Sequence, residues 1–192
     1  MKLIITIPAF NEENSLEKVI NEIPREIKGI DEILILVIDD GSTDGTVEAA
    51  TRAGAHKILS HKHNMGLAKT FRDGLNEALE MGADIIVNTD ADFQYKGTEI
   101  PLLIAPILEG RADIVLGDRQ IDHLDHMPRA NVWGNKLATC VTRWVTGFLI
   151  KDAQTGFRAF SREAALRMNL TGDYTYTQET IIQATNKNLK IE

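Results

Sequence analysis

Apolar positions follow two rhythms along the first 117 residues. Short β-rich runs occur at "LIITI" (3–7), "ILILVI" (33–38), "KIL" (57–59), "DIIVN" (84–88) and "DIVLG" (113–117), and they read as strands. Between them, apolar residues recur at helical spacing. Leu16, Val19, Ile20 and Ile23 share one helix face, and Leu67, Phe71, Leu75 and Leu79 form a stripe on another. Thr98 is the expected N-cap of a further helix that Pro106 should kink or end. This alternation predicts an α/β fold with a Rossmann-like, mostly parallel sheet and helices on both faces.

After Pro128 the alternation gives way to a longer helical pattern. Val132, Val141, Trp144, Val145 and Phe148 fall on its apolar face, read as core-facing, with an acceptor- or membrane-facing surface as the alternative. "AQTGFRAFSREAAL" predicts a short strand and a helix capped by Ser161. "NLKIE" reads as a strand cut short, so the chain is expected to be truncated at its C-terminus. No Pro/Gly/Ser-rich linker or repeat divides the 192 residues, and 43% hydrophobic content suits one domain over 1–192.

Charge narrows the function classes. A net charge of −7 argues against a nucleic-acid partner, which would call for clustered Lys and Arg. A phosphate-bearing ligand must then be met locally, by a metal or a few basic side chains. Cys140 is the only cysteine and cannot form an internal disulfide, so a reduced, cytoplasmic setting is expected. The opening "KLIITIP" has no signal-peptide pattern, and the apolar runs fall far short of the ~20 residues of a bilayer span.

Ligands of open α/β sheets gather at the carboxyl ends of the strands. Four polar clusters fall there: "PAFNEE", "DDGSTDGT", "HNMGLAKT" and "DADFQ". In an extended segment residues i and i+2 point the same way, roughly 6.5 to 7 Å apart, so Asp90 and Asp92 can aim into one space. Unscreened they would repel, and a hard cation such as Mg²⁺ or Mn²⁺ would neutralise them. Gln94 could add a neutral oxygen. A calcium loop is excluded because the sixth position from Asp90 is Tyr95 and the twelfth is Pro101, whereas from Asp40 the twelfth is Thr51. In "DDGSTDGT", turn and cap chemistry explains the small residues, while Asp39 or Asp40 should reach the ligand crevice. Gly66 precedes a helix, where close approach and free N–H groups favour an anion. Neither the G-x-x-x-x-G-K-[ST] phosphate loop nor a G-x-G-x-x-G after the first strand is present.

In this order the clusters resemble family 2 glycosyltransferases of the GT-A fold, in the branch of dolichyl-phosphate mannose synthases and other polyprenyl-phosphate sugar transferases. The likeness runs from "IPAFNEE" through "TDADFQY", "ADIVLGDR" and "DAQTGFRAFSREAA" to "YTYTQETIIQA". It implies that Pro8, Phe10 and Glu12 line the nucleotide pocket, with Asp40 near the base. Asp90 and Asp92 correspond to an Asp-x-Asp metal motif, with Asp92 counted among the catalytic residues, and Gln94 corresponds to a further ligand. Arg119 corresponds to a basic position near the acceptor phosphate, with Arg129 as a second. Gly156, Phe157 and Arg158 correspond to a Gly-Phe-Arg motif beside the sugar, and Glu179 to an acidic residue near the reaction centre. Asp118 and "YK" after Gln94 depart from the pattern of dolichyl-phosphate mannose synthases.

The resemblance implies an inverting transfer from a nucleotide-diphosphate sugar to a polyprenyl phosphate, assisted by Mg²⁺ or Mn²⁺. A lipid phosphate needs only positioning by Arg119 and Arg129, whereas a sugar hydroxyl acceptor needs a base, for which Glu179 and Asp118 are the candidates. Peripheral contact with the cytoplasmic face of a membrane stays open. So do two other readings: a sugar-phosphate nucleotidyltransferase and a non-catalytic nucleotide-sugar binding module.

Overall fold

A computed structural model describes residues 1–117, 155–170, 172 and 176–192. Its strands are β1 (Lys2–Ala9), β2 (Glu32–Asp39), β3 (Lys57–Ser60), β4 (Ile85–Asn88), β5 (Ile114–Leu116) and β6 (Arg158–Ser161). Among the described residues they form one sheet in the order β3-β2-β1-β4-β6-β5. β1 to β4 are parallel, with Leu3 opposite Ile33 on β2 and Ile85 on β4. β6 enters antiparallel between β4 and β5. The first four strands therefore deliver their following loops to one edge. Because β6 runs the other way, its first residues reach that edge too.

The helices are α1 (Leu16–Glu22), α2 (Thr46–Arg52), α3 (Leu67–Glu80), α4 (Ile100–Leu108), α5 (Arg162–Arg167) and α6 (Tyr176–Asn186). Two apolar layers sandwich the sheet, as its nearly continuous apolar strands require. Leu3, Ile5 and Ile7 of β1 pack with Leu16, Val19 and Ile20 of α1 and Leu103 and Ile104 of α4. On the other face Ile4, Leu36 and Ile38 pack with Phe71 and Leu75 of α3, Ala164 of α5 and Tyr176 of α6. The Phe71 ring lies 5.9 Å from Phe160 and 4.6 Å from Tyr176, which ties α6 to α3 and β6.

The α1 stripe is buried as expected. The α3 stripe is shifted: Leu67 is 52% exposed, while Ala68, Phe71, Leu75 and Ala78 face the core. Leu67 is the first residue of α3, where the helix emerges at the sheet edge. Thr98 is not an N-cap but lies inside a 3-10 turn, Gly97–Glu99, that precedes α4. Pro101, with its fixed φ, then supports the first turn of the α-helix. Pro106 sits within α4, which ends two residues later at Leu108. Ser161 caps α5 as predicted, its Oγ accepting from the Ala164 amide at 3.1 Å. The strand expected at "NLKIE" is present as a parallel bridge between Ile114 and Ile191, with the Leu116 amide donating to the Glu192 carbonyl at 2.8 Å. The helical pattern after Pro128 lies outside the described residues. No helix among those described is long and apolar enough to cross a membrane.

Candidate active site

A cleft of about 760 Å³ opens at the carboxyl edge of β1 to β4. All four polar clusters contribute to it: Pro8 at the end of β1 with Phe10 and Glu12 beyond it, Asp40 after β2, Asn64, Gly66 and Leu67 after β3, and Asp90 and Asp92 after β4. Ala9, Thr70, Ala91, Gly156, Tyr176, Thr177 and Gln178 complete the described lining.

The first two loops are laced together. The Asn11 amide donates to Ser42 Oγ at 2.9 Å, and its side-chain oxygen accepts from the Thr43 amide at 2.9 Å. The Glu12 amide donates to Thr46 Oγ1 at 2.8 Å, and Glu13 accepts from the Gly45 amide at 2.9 Å. Asn11 adopts φ +56°, a left-handed conformation that asparagine tolerates better than most residues. Asp44 accepts from the Glu13 amide at 3.3 Å and the Thr46 amide at 3.1 Å, so Ser42, Asp44 and Glu13 are spent on loop shape. Phe10 is left 44% exposed at the mouth of the cleft.

Asp40 is buried, yet its carboxylate is already occupied. Oδ1 accepts from the Met65 amide at 2.8 Å and Oδ2 from the Gly66 amide at 2.9 Å, while His61 Nδ1 lies 2.7 Å from Oδ1. Burial by itself pushes the Asp40 carboxyl up. The bonds from His61, Met65 and Gly66, with the attraction of the imidazole, outweigh burial and hold it below the usual carboxylate range. The Gly66 N–H is thus given to Asp40, which corrects the expectation that it is free for an anion. Asp39 is also committed, accepting from the Ser42 amide at 3.0 Å.

A buried polar chain supports the wall that carries Asp90. Thr6 Oγ1 donates to Asn88 Oδ1 at 3.2 Å, and Asn88 Nδ2 donates to the Gly156 carbonyl at 2.8 Å. The Gly156 amide donates to the Tyr95 hydroxyl at 3.1 Å, and the Tyr95 ring stacks on Phe157 with centroids 5.1 Å apart. The turn at Gly156 is thereby pressed against Asp90: a Cβ there would sit 2.5 and 2.6 Å from the two carboxylate oxygens. Only glycine fits. Asp92 Oδ1 accepts from the Gln94 amide at 3.1 Å, closing a turn in which Phe93 takes φ +65°, strained for a bulky side chain. Asp90 and Asp92 offer hard oxygen donors to one space, the type that suits Mg²⁺ or Mn²⁺. Among the described residues no three His, Cys, Asp or Glu side chains gather around a common point. A cation at this pair would take its remaining ligands from water or substrate.

The cleft brings together Pro8, Phe10, Glu12, Asp40, Gly66, Asp90, Asp92 and Gly156. Other expected site residues stand apart from its lining. Gln94 is exposed beyond the Asp92 turn. Phe157 is core, and Arg158 is fully buried, donating to the carbonyls of Thr155 and Thr177, each at 2.7 Å, and to Thr180. Arg158 thus fastens α6 to the start of β6. The Glu179 carboxylate accepts from the Gly172 amide at 3.0 Å and from Gln183 at 3.1 Å. Asp118, Arg119 and Arg129 lie outside the described residues. Sequence reasoning missed Asn64, Thr70, Tyr176, Thr177 and Gln178 as lining residues. "HNMGLAKT" and "YTYTQE" contain them, but no charge or glycine distinguishes them from turn and helix residues.

The chain matches the family model described as Glycosyl transferase family 2 over residues 4–167. It is 34% identical to the Uncharacterized protein MJ1222 of Methanocaldococcus jannaschii, over 100% of this chain and 79% of that protein. It is 32% identical to the UDP-N-acetylglucosamine–dolichyl-phosphate N-acetylglucosaminyltransferase of Methanococcus voltae, over 85% of this chain and 71% of that one. Among solved structures it is similar to glucosyl-3-phosphoglycerate synthase of Mycobacterium tuberculosis in complex with Mn²⁺, UDP and glucosyl-3-phosphoglycerate. The TM-score is 0.78 at 23% identity, covering 97% of this chain and 66% of that one. At that identity the likeness speaks for the fold.

Proposed function

Because the chain belongs to glycosyl transferase family 2, we propose that it moves a sugar from a nucleotide-diphosphate sugar to a polyprenyl phosphate, with Mg²⁺ or Mn²⁺ held by Asp90 and Asp92. The observation that carries this reading is the charge of the cleft. Glu12, Asp40, Asp90 and Asp92 line it, and no Lys, Arg or His does so among the described residues. An anionic diphosphate entering such a wall needs a cation between itself and the carboxylates. When bound, a divalent ion supplies Lewis-acid neutralisation of the departing diphosphate.

The chain's own residues then have separable tasks. Asp90, pressed against Gly156, and Asp92, fixed by its turn, present oxygens at one wall. Pro8, Phe10 and Glu12 flank the nucleotide. Arg119 and Arg129 orient the acceptor phosphate, whose oxygen attacks the anomeric carbon from the face opposite the leaving group and inverts it. A phosphate acceptor is already ionised at neutral pH and calls for no general base. Glu179, whose carboxylate accepts from Gly172 and Gln183, is not called on as a base in this reading. The dolichyl-phosphate acceptor named for the Methanococcus voltae relative points the same way. Such a lipid acceptor requires the protein to meet a membrane surface.

The test is transfer of radiolabel from UDP- or GDP-linked sugars, with Mn²⁺, into an organic-extractable product in the presence of a polyprenyl phosphate. We expect labelled lipid and released nucleoside diphosphate. Release of pyrophosphate, or label only in water-soluble products, would contradict the proposal.

A further inference from the structure

We propose that His61 is a positioning residue for the donor nucleotide: clamped between Asp40 and Asp73, it fixes the wall of the cleft formed by residues 64–67. The inference rests on the donor reading above and adds a residue outside the described lining.

His61 follows β3 and is 12% exposed at its side chain. Nδ1 lies 2.7 Å from Asp40 Oδ1 and Nε2 lies 3.0 Å from Asp73 Oδ2. Carboxylates only accept, so both contacts are hydrogen bonds only in the doubly protonated ring. The imidazole then bridges the end of β2 to the second turn of α3. Asp73 also receives Lys69 one turn earlier, so the bridge is charged at both ends.

What the bridge holds is the cleft wall. Asp40 accepts from the Met65 and Gly66 amides, and Asn64, Gly66 and Leu67 line the cleft. The segment is seated from below as well. The His61 amide donates to the Asp39 carbonyl at 2.9 Å. Gly41, at φ +76°, lies so close to the backbone of His63 and Asn64 that a Cβ would approach to 2.6 Å. Without His61, Asp40 keeps its amide bonds but loses its lateral anchor to α3. Buried Asp40 and half-buried Asp73 then lose the group that joins them, and the wall is free to shift.

The test compares the unaltered protein with His61→Ala and His61→Gln, the latter able to donate to only one carboxylate at a time. Calorimetry would measure affinity for UDP and GDP with Mn²⁺, and hydrogen exchange would follow the Met65 and Gly66 amides. We expect His61→Ala to speed exchange at those two amides and weaken nucleotide binding by about tenfold. The Gln variant should fall between. In turnover, donor KM should rise by the same factor while kcat changes less than about twofold, since loss of folded protein would lower kcat and leave KM unchanged. If His61→Ala does not fold, Asp73→Asn removes the charge at the far end of the bridge and should shift Kd in the same direction. Unchanged affinity in a variant of a protein that does bind nucleotide overturns the role of His61. Failure of the unaltered protein to bind either nucleotide overturns the donor reading itself.

Discussion

Asp40 follows β2 with its carboxylate shared among one imidazole and two amides, so the shape of the cleft depends on its charge. The dependence has a sign. Its folded pKa lies below the ordinary value, so between the two the unfolded chain binds more protons and stability falls as pH falls. The contribution is fully present above about pH 4, near the unfolded carboxylate value, and is lost as pH drops through the folded one. Denaturant titrations across this range should show acid destabilisation that is smaller in Asp40→Asn. An identical pH dependence in the variant would contradict the assignment. The sequence placed this residue at the ligand edge, but spacing alone could not show that long-range partners consume its oxygens. The same holds for Gly156, whose need for glycine arises from Asp90, 66 positions earlier in the chain. Asp90 and Asp92 both line the cleft, as their spacing suggested, but by a turn closed at Asp92 rather than by the extended segment the sequence implied.

At the scale of elements, the periodic signals were read where one physical cause dominates. β1, β2 and β4 are apolar enough to be identified before any partner is known, and the α1 face follows from its spacing. Ser161 is a local signal as well, since a hydroxyl just before a helix can reach the third amide beyond it. Ser161→Ala should cost about 1 kcal/mol and lower the melting temperature by roughly 2–4 °C for a chain of this size, measured by circular dichroism. No change would mean the bond at Ala164 contributes nothing. Thr98 misled because a 3-10 turn and Pro101 start α4 without a side-chain cap. The placement of β6 was not legible: four residues, "RAFS", carry no information about strand direction, and its partners Ile85–Asn88 and Ile114–Leu116 lie far earlier in the chain.

Over the whole molecule, the parallel arrangement of β1 to β4 gathers loops distant in sequence at one edge, while reversal of β6 brings Gly156 to the same place. The outcome is a cleft whose described wall is acidic. In the proposed function, such a wall would repel a bare nucleoside diphosphate and accept one that arrives with a divalent cation. That coupling of metal and nucleotide is the centre of the account, and Asp92 is where it can be cut, because its side chain bonds only to its own turn among the contacts described. The most direct measurement is titration calorimetry of UDP and GDP, with Mn²⁺ and with EDTA, on the unaltered protein and on Asp92→Ala. The account predicts binding of one nucleotide that requires Mn²⁺ and weakens by at least about tenfold in the variant, with the fold retained. Equal affinity with Mn²⁺ and with EDTA would contradict it.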